Sequence, residues 1–191
     1  MASDEQRLQL YEDLLLRWSG KVNLIGPDAR RHLREHIDEA LEAARFLKPS
    51  GEVLDVGSGG GLPAIPMAIM SPAARFHLVE ADQKKWAFLK FAVRECSLNS
   101  VVYGDRLERI ARRIAPDLTF SLVISRAVGH AETWLPAIVP AIAQGGRVAL
   151  FEGEDGSPPV EGLRLVERYG LRRGKANFLT VFERFHVEHY G

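Results

Sequence analysis

The residues with the clearest capacity for chemistry form one short run, Val53-Leu-Asp-Val-Gly-Ser-Gly-Gly-Gly-Leu62. A short apolar strand runs into glycines, and an apolar helical segment, Pro63–Met70, follows, with Pro63 suited to its first turn. Glycines at such a turn accept positive φ and let the backbone approach a ligand closely. Asp55 sits just before the loop, and the next strand ends in Glu80, where an acid can accept ribose hydroxyls. Gly57, Gly59 and Glu80 are therefore the first candidate contacts to a nucleoside-bearing cofactor.

The spacing narrows the ligand. Gly57, Gly59 and Gly61 make G-x-G-x-G, whereas the dinucleotide fingerprint needs its third glycine one residue later, where Leu62 stands. A sulfonium nucleoside carries no pyrophosphate to cradle. The expectation is S-adenosylmethionine (SAM), with a nicotinamide- or flavin-dependent oxidoreductase as the remote alternative.

The elements that must position this loop come from the alternation of apolar runs. After Val53–Val56 and Pro63–Met70, strands are expected at Phe76–Glu80, Val101–Tyr103, Leu122–Ser125 and Arg147–Phe151. Helices are expected between them at Gln83–Cys96 (Trp86, Leu89, Val93 and Cys96 inward), Leu107–Ile114 and Ala131–Ile142. This alternation predicts a doubly wound, mostly parallel, Rossmann-like α/β sheet. Two late strands, near Leu163–Arg168 and Phe178–Phe185, have no helix between them, only the basic turn Leu171–Lys175, so they are expected to be antiparallel. Residues 1–50 read as an N-terminal helical extension of a methyltransferase domain spanning 51–191, the whole forming one compact unit. Leu8, Tyr11, Leu15, Trp18 and Val22 mark one helical face. A second helix, capped by Asp28, presents Leu33, Ile37, Leu41 and Ala44 and stops at Pro49 and Gly51.

Composition sets the outer bounds. The chain has 191 residues, 46% hydrophobic and 26% charged, enough for one domain with a real core. Its single cysteine, Cys96, excludes an internal disulfide and a multi-thiolate zinc site. His32 and His36 are spaced i, i+4 but lack a nearby third ligand, so no metal is expected. The polar start, MASDEQRLQLYED, does not read as a signal peptide, and no apolar run reaches 18 residues, so a cytoplasmic protein is expected, away from membranes. Lys+Arg and Asp+Glu balance at 25 each, so any polyanion surface must come from local clusters. Such clusters exist at Arg30, Arg31 and Arg34, at Lys84 and Lys85, at Arg106, Arg109, Arg112 and Arg113, and at Arg172, Arg173 and Lys175. Each also reads simply as a solvated face. Trp18, Trp86 and Trp134 read as packing residues.

Four segments together resemble one family. Asp55-Val-Gly-Ser-Gly-Gly-Gly-Leu-Pro-Ala-Ile-Pro66, Trp18-Ser-Gly-Lys-Val-Asn-Leu24, Glu80-Ala-Asp-Gln-Lys-Lys-Trp-Ala-Phe-Leu89 and Ser125-Arg-Ala-Val128 resemble, in order, motifs of the bacterial RsmG/GidB family. Its members are small-subunit (16S) ribosomal RNA guanine-N7 methyltransferases. The resemblance implies SAM as cofactor and ribosomal RNA or the small-subunit particle as partner. By position it carries cofactor contacts onto Gly57, Leu62, Leu107, Glu108 and Arg126, and aligns His36 with the family's R-H-x-x-D segment. Lys84 and Lys85, with His36 and Arg126, are the expected acceptor-side contacts. Departures stand at Glu35 (usually Arg), Glu39 (usually Asp), Ala64 (usually Gly) and Phe151-Glu-Gly153 (usually a Lys-Gly pair), mostly on the expected RNA side.

Guanine N7 has a lone pair and no proton, so its methylation needs no general base, and no catalytic residue is assigned. The acceptor need only be held in line with the methyl, roughly 3 Å away. A protonated acceptor would need a base, for which Asp55, Glu80 and His130 are candidates. Arg126 could reach guanine O6 or a phosphate, or serve as an ion pair fixing a loop. If it acts on cofactor or acceptor, its replacement is expected to spare folding, because an exposed cleft arginine contributes little to stability, whereas a large loss of stability would favour the ion pair. A small-molecule acceptor suited to Glu35, Glu39 and Glu152, and a non-catalytic SAM- or RNA-binding module, remain as alternatives.

Overall fold

The computed structural model describes residues 2–114, 117–126, 129, 131–171 and 178–185. Seven strands form one sheet: β1 (Gly51–Val56), β2 (Ala74–Val79), β3 (Ser100–Tyr103), β4 (Phe120–Arg126), β5 (Ile142–Glu152), β6 (Leu163–Gly170) and β7 (Phe178–Arg184). Their order is β3-β2-β1-β4-β5-β7-β6. The first five run parallel, and β7 inserts antiparallel between β5 and β6. This is the doubly wound sheet with an antiparallel terminal pair that the sequence predicts. The strand order reverses at β1/β4, where such sheets place their ligands, beyond the carboxyl ends of the strands.

The helices are α1 (Asp4–Ser19), α2 (Pro27–Arg31), α3 (Leu33–Leu47), α4 (Ala64–Met70), α5 (Gln83–Glu95), α6 (Leu107–Ile114) and α7 (Ala131–Ile138). One core packs α1, α3, α4 and α5 on one face of the sheet, and a second packs α6 and α7 on the other. In α1, Leu8, Tyr11, Leu14 and Leu15 are buried, and Trp18 packs on Phe88 and Phe91. Val22, expected on the same face, lies past the helix end, where Gly20 caps α1.

The helix expected from its Asp28 cap to the stop at Pro49 is two helices broken at His32. Gly26, not Asp28, is the cap residue. The five residues of α2 bury nothing, so no packing holds them in register with α3, whose Leu33, Ile37, Leu41 and Ala44 are buried as expected. On α5 the buried face is Phe88, Leu89 and Ala92, followed by Cys96; Trp86 and Val93 are only half-buried. The helix expected to reach Ile142 stops at Ile138, and a 3₁₀ turn at Val139–Ala141 leads into β5, which begins five residues earlier than the pattern suggests. Pro140 accounts for the stop, since it cannot donate within a continuing helix. Residues 153–162 contain no helix, and the loop leads directly into β6. Apart from Leu171, the expected basic turn lies outside the described residues.

Candidate functional site

The glycine loop lies at the switch point. Gly57, Gly59 and Gly61 have φ of 70°, 56° and 90°, values that favour glycine. The amides of Gly57 and Ser58 both donate to Val79 O at 3.0 Å, locking the loop over the end of β2. A Cβ on Gly61 would stand 2.5 Å from Ile65 Cδ1. Sterics thus require glycine at Gly61, and the bend delivers the chain into α4.

Glu80 follows β2. Its two carboxylate oxygens accept from Gly59 N and Asp82 N, each at 2.8 Å. The acid is therefore held against the loop by both oxygens. Asp82 caps α5 by accepting from Lys84 N and Lys85 N at 2.9 and 3.0 Å, and the Lys85 amide first among these bonds draws its carboxyl below the ordinary value. Lys85 lines the cleft, whereas Lys84 is exposed and does not.

Asp55 is 1% exposed, and neither carboxylate oxygen has a hydrogen-bond partner among the described residues. Burial pushes its carboxyl up to about 7, against the pull of the Ser58 hydroxyl; Glu80 adds to the rise and Arg126 opposes it. An acid poised this way is sensitive to any cation in the neighbouring cleft.

Across the loop, Ser125 Oγ donates to Val56 O at 3.0 Å and ties the end of β4 to the end of β1. Arg126 follows. Its Nη2 lies 2.9 Å from Glu39 Oε2, its Nη1 donates to His36 Nδ1 at 2.8 Å, and its guanidinium lies 4.5 Å from the centre of the Phe151 ring. His36 Nδ1 is also 3.2 Å from Glu39 Oε2, so the α3 pair and the β4 arginine form one cluster. Glu39 is 1% exposed and Arg126 15%. Arg126 is thus no open-cleft arginine: it is half-buried at the cleft and ion-paired to a fully buried carboxylate, and the expectation that its loss spares folding is corrected by that pairing. Burial lowers the guanidinium below its usual value, with Glu39 the main opposing influence. Glu39, a departure from the family's aspartate, keeps the carboxylate and places it on the arginine.

The glycine loop, Glu80, Lys85, Ser125 and Arg126 open onto one cleft of about 880 Å³, with Asp55 and Glu39 buried outside its lining. Of the sequence-predicted residues, Gly57, Gly59, Leu62, Glu80, Lys85, His36 and Arg126 line it. Leu107 and Glu108 do not: they start α6, and Leu107 is buried among Leu54, Val56 and Val79. His130 lies outside the described residues. The far wall is formed by Phe151, Glu152 and Gly153, the segment that departs from the family pattern, together with the loop through Pro158, which the sequence did not single out. Glu152 accepts from Ser157 Oγ and Thr180 Oγ1, both at 2.5 Å, and holds that loop to β7. His32 contacts Asp28 and Glu35, whereas His36 turns to Glu39 and Arg126, so the i, i+4 histidines face different carboxylates. Among the described residues no group of three or more His, Cys, Asp or Glu is placed to hold a metal, and no helix is long and apolar enough to cross a membrane.

The donor set suits SAM. Glycine-cradled backbone, an acid past β2, a buried carboxyl with unpartnered oxygens and a cleft of this size match a nucleoside joined to a cationic amino-acid tail. A parallel sheet with an antiparallel β7, carrying this loop at its switch point, defines the methyltransferase class of α/β folds. The SAM-bound structure of a mutant of MtNAS shares that fold, with TM-score 0.66 and 13% identity over 94% of this chain and 75% of that one.

The chain belongs to the rRNA small subunit methyltransferase G (GidB) family, whose description matches residues 4–167. The Wolinella succinogenes ribosomal RNA small subunit methyltransferase G is 35% identical over 150 residues, covering 78% of this chain and 75% of that protein. The Granulibacter bethesdensis protein of the same name is 39% identical over 148 residues, covering 76% of this chain and 66% of that protein. The chain thus spans three quarters of the first relative and about two thirds of the second.

Proposed function

We propose that this chain transfers a methyl group from SAM to guanine N7 in small-subunit ribosomal RNA. One observation supports the reading above the rest: a single cleft joins the glycine loop and Glu80 to Arg126, at the strand-order switch. Gly57, Gly59, Leu62 and Glu80 are the residues that would hold the cofactor. When bound, SAM supplies an electrophilic methyl on a sulfonium. Leu107 and Glu108 are retained as adenine-side candidates by family position alone.

The chain's own work is orientation. N7 has no proton to remove, so its methylation calls on no general base. Glu39, His36 and Phe151 fix the Arg126 guanidinium at the cleft, and its buried Nε has no acceptor among the described residues. A guanidinium there can donate to guanine O6, beside N7 on the same base edge. His36 and Lys85 line the entrance where RNA phosphates would pass, and Lys84 extends that basic edge outward. Glu152, which replaces a lysine of the family pattern, is committed to Ser157 and Thr180 and so shapes the wall instead of meeting phosphate. A small-molecule acceptor is the second reading, favoured by the acids Glu132, Glu152 and Asp155 on the cleft.

The test is mass mapping of small-subunit RNA from a deletion strain, complemented with this chain. One N7-methylguanosine is expected to vanish on deletion and return on complementation. An unchanged methylation map would refute the RNA acceptor while leaving the cofactor reading intact.

A further inference from the structure

The N-terminal helix reaches the glycine loop directly. Tyr11 on α1 is fully buried, and its hydroxyl donates to Gly60 O at 2.8 Å, across 49 residues of sequence. One turn on, Leu15 covers the same peptide: a Cβ on Gly60 would stand 2.9 Å from Leu15 Cδ1 and 3.2 Å from Ile25 Cγ2. On the preceding residue, Gly59 N–H is held by Glu80 Oε2 at 2.8 Å. Consecutive residues of the loop are therefore tied from opposite sides, one by the acid after β2 and one by the N-terminal helix. Tyr11 also stands close enough to Asp55 and Arg126 for their charges to act on its hydroxyl, which burial, first of all, raises well above its usual value. The phenol is thus a neutral donor, fixed in the centre of the molecule.

We propose that Tyr11 is a positioning residue for the cofactor. Its hydrogen bond holds the peptide joining Gly60 to Gly61, whose N–H donates to Ser58 O at 2.7 Å, and with it the turn that carries Gly57–Gly60 along the cleft. The argument is geometric. Gly59 and Gly61 both have positive φ, a conformation in which a glycine backbone has neighbouring wells of similar energy. A loop with that freedom binds at a cost unless something outside it selects one well. Val79 and Glu80 hold the amides of Gly57, Ser58 and Gly59; the fully buried Tyr11 hydroxyl holds the Gly60 carbonyl that follows, and Leu15 crowds the side onto which Gly60 would turn. This gives the N-terminal helix a task at the cofactor end of the site. The proposal rests on the reading of the glycine loop as the SAM site.

The test is calorimetric titration of the full chain with S-adenosylhomocysteine, comparing wild type, Tyr11→Phe and Leu14→Ala. Tyr11→Phe keeps the ring and removes only the donor. Leu14→Ala opens a cavity on the same helix at a side chain other than the two, Tyr11 and Leu15, that meet Gly60. Unfolding lowers the measured stoichiometry, and while more than half of a variant is folded it raises the apparent Kd less than twofold. Tyr11→Phe is expected to raise Kd about tenfold, and Leu14→Ala less than twofold despite a lower Tm. Steady-state methyl transfer gives the second readout: Tyr11→Phe raises KM for SAM and leaves KM for RNA unchanged. Wild-type affinity in Tyr11→Phe, or an equal loss in Leu14→Ala, would overturn the positioning role. Failure of the wild type itself to bind would overturn the SAM site, and the proposal with it, and is distinct from a selective loss.

Discussion

Replacing Arg126 by alanine removes the cation that lies 2.9 Å from a carboxylate only 1% exposed. Breaking a buried pair from one side costs about 3–5 kcal/mol, because the remaining charge keeps its desolvation penalty and loses its partner. In a chain of this length each kcal/mol shifts Tm by roughly 2–4 °C. Arg126→Ala is therefore expected to melt roughly 6–20 °C below wild type by circular dichroism. That loss would obscure any effect on catalysis, so the decisive variant removes both charges. Arg126→Met with Glu39→Leu fills the space with apolar atoms, and such exchanges are often neutral or stabilising. The double variant is expected to regain most of the lost Tm. Losing a preorganised donor at the reacting edge costs about 10²–10³-fold in rate, and methyl transfer by the double variant is expected to fall by that factor. An Arg126→Ala variant that melts within about 2 °C of wild type would refute the buried-pair argument. A stable double variant with full activity would refute contact between Arg126 and the acceptor.

Gly61→Ala places a Cβ 2.5 Å from Ile65 Cδ1 at φ 90°, so it should cost about 1–3 kcal/mol and weaken S-adenosylhomocysteine binding; Gly20→Ala, whose Cβ meets only ordinary contact at 3.5 Å, should do neither by the same melts and titrations. Asp55 titrates near 7 when folded against 3.8 ordinarily, so the folded state holds its proton while the unfolded state releases it, and stability contributed by this group falls between pH 4 and 7. The shift corresponds to about 4 kcal/mol at pH 8; Asp55→Asn should flatten that part of the urea-melt profile, and an unchanged profile would refute the buried, unpartnered carboxyl.

The parts of the site legible in the sequence are those whose chemistry lies in adjacent residues. The glycine spacing, the acid closing β2 and the switch to an antiparallel pair each leave a local mark, and the structure places Gly57, Gly59, Leu62 and Glu80 on one cleft. The family pattern added Arg126 and His36, which no local period would have found, and they meet across 90 residues. What was not legible depends on tertiary contact. Glu39 stands out in the sequence only as a departure from the family's aspartate and an acid for a small-molecule acceptor, yet it is buried on Arg126. Tyr11 reads as one more apolar position on α1, because a core phenol and a phenol bonded to a distant peptide share the same periodicity. Leu107 followed the family position, but its apolar side chain is taken up by the core under α6.

The two contacts that the sequence did not show share a cause that bears on how the site works. Tyr11 and Glu39 both come from the N-terminal helices, and each meets a group at the end of a sheet strand: Gly60 after β1 and Arg126 at the end of β4. Both are fully buried, so neither contact is an optional surface tie. A displacement of α1 or α3 would move the glycine loop or the arginine, respectively, while leaving the sheet in place. The cofactor and acceptor halves of the cleft are thus referenced to the same helical layer, through one neutral hydrogen bond and one ion pair. Perturbing Tyr11 should read out on the cofactor, and perturbing Glu39 on the acceptor. Because α1 and α3 also share one core with α4 and α5, the registration of the two halves is tied to the packing of that face of the sheet.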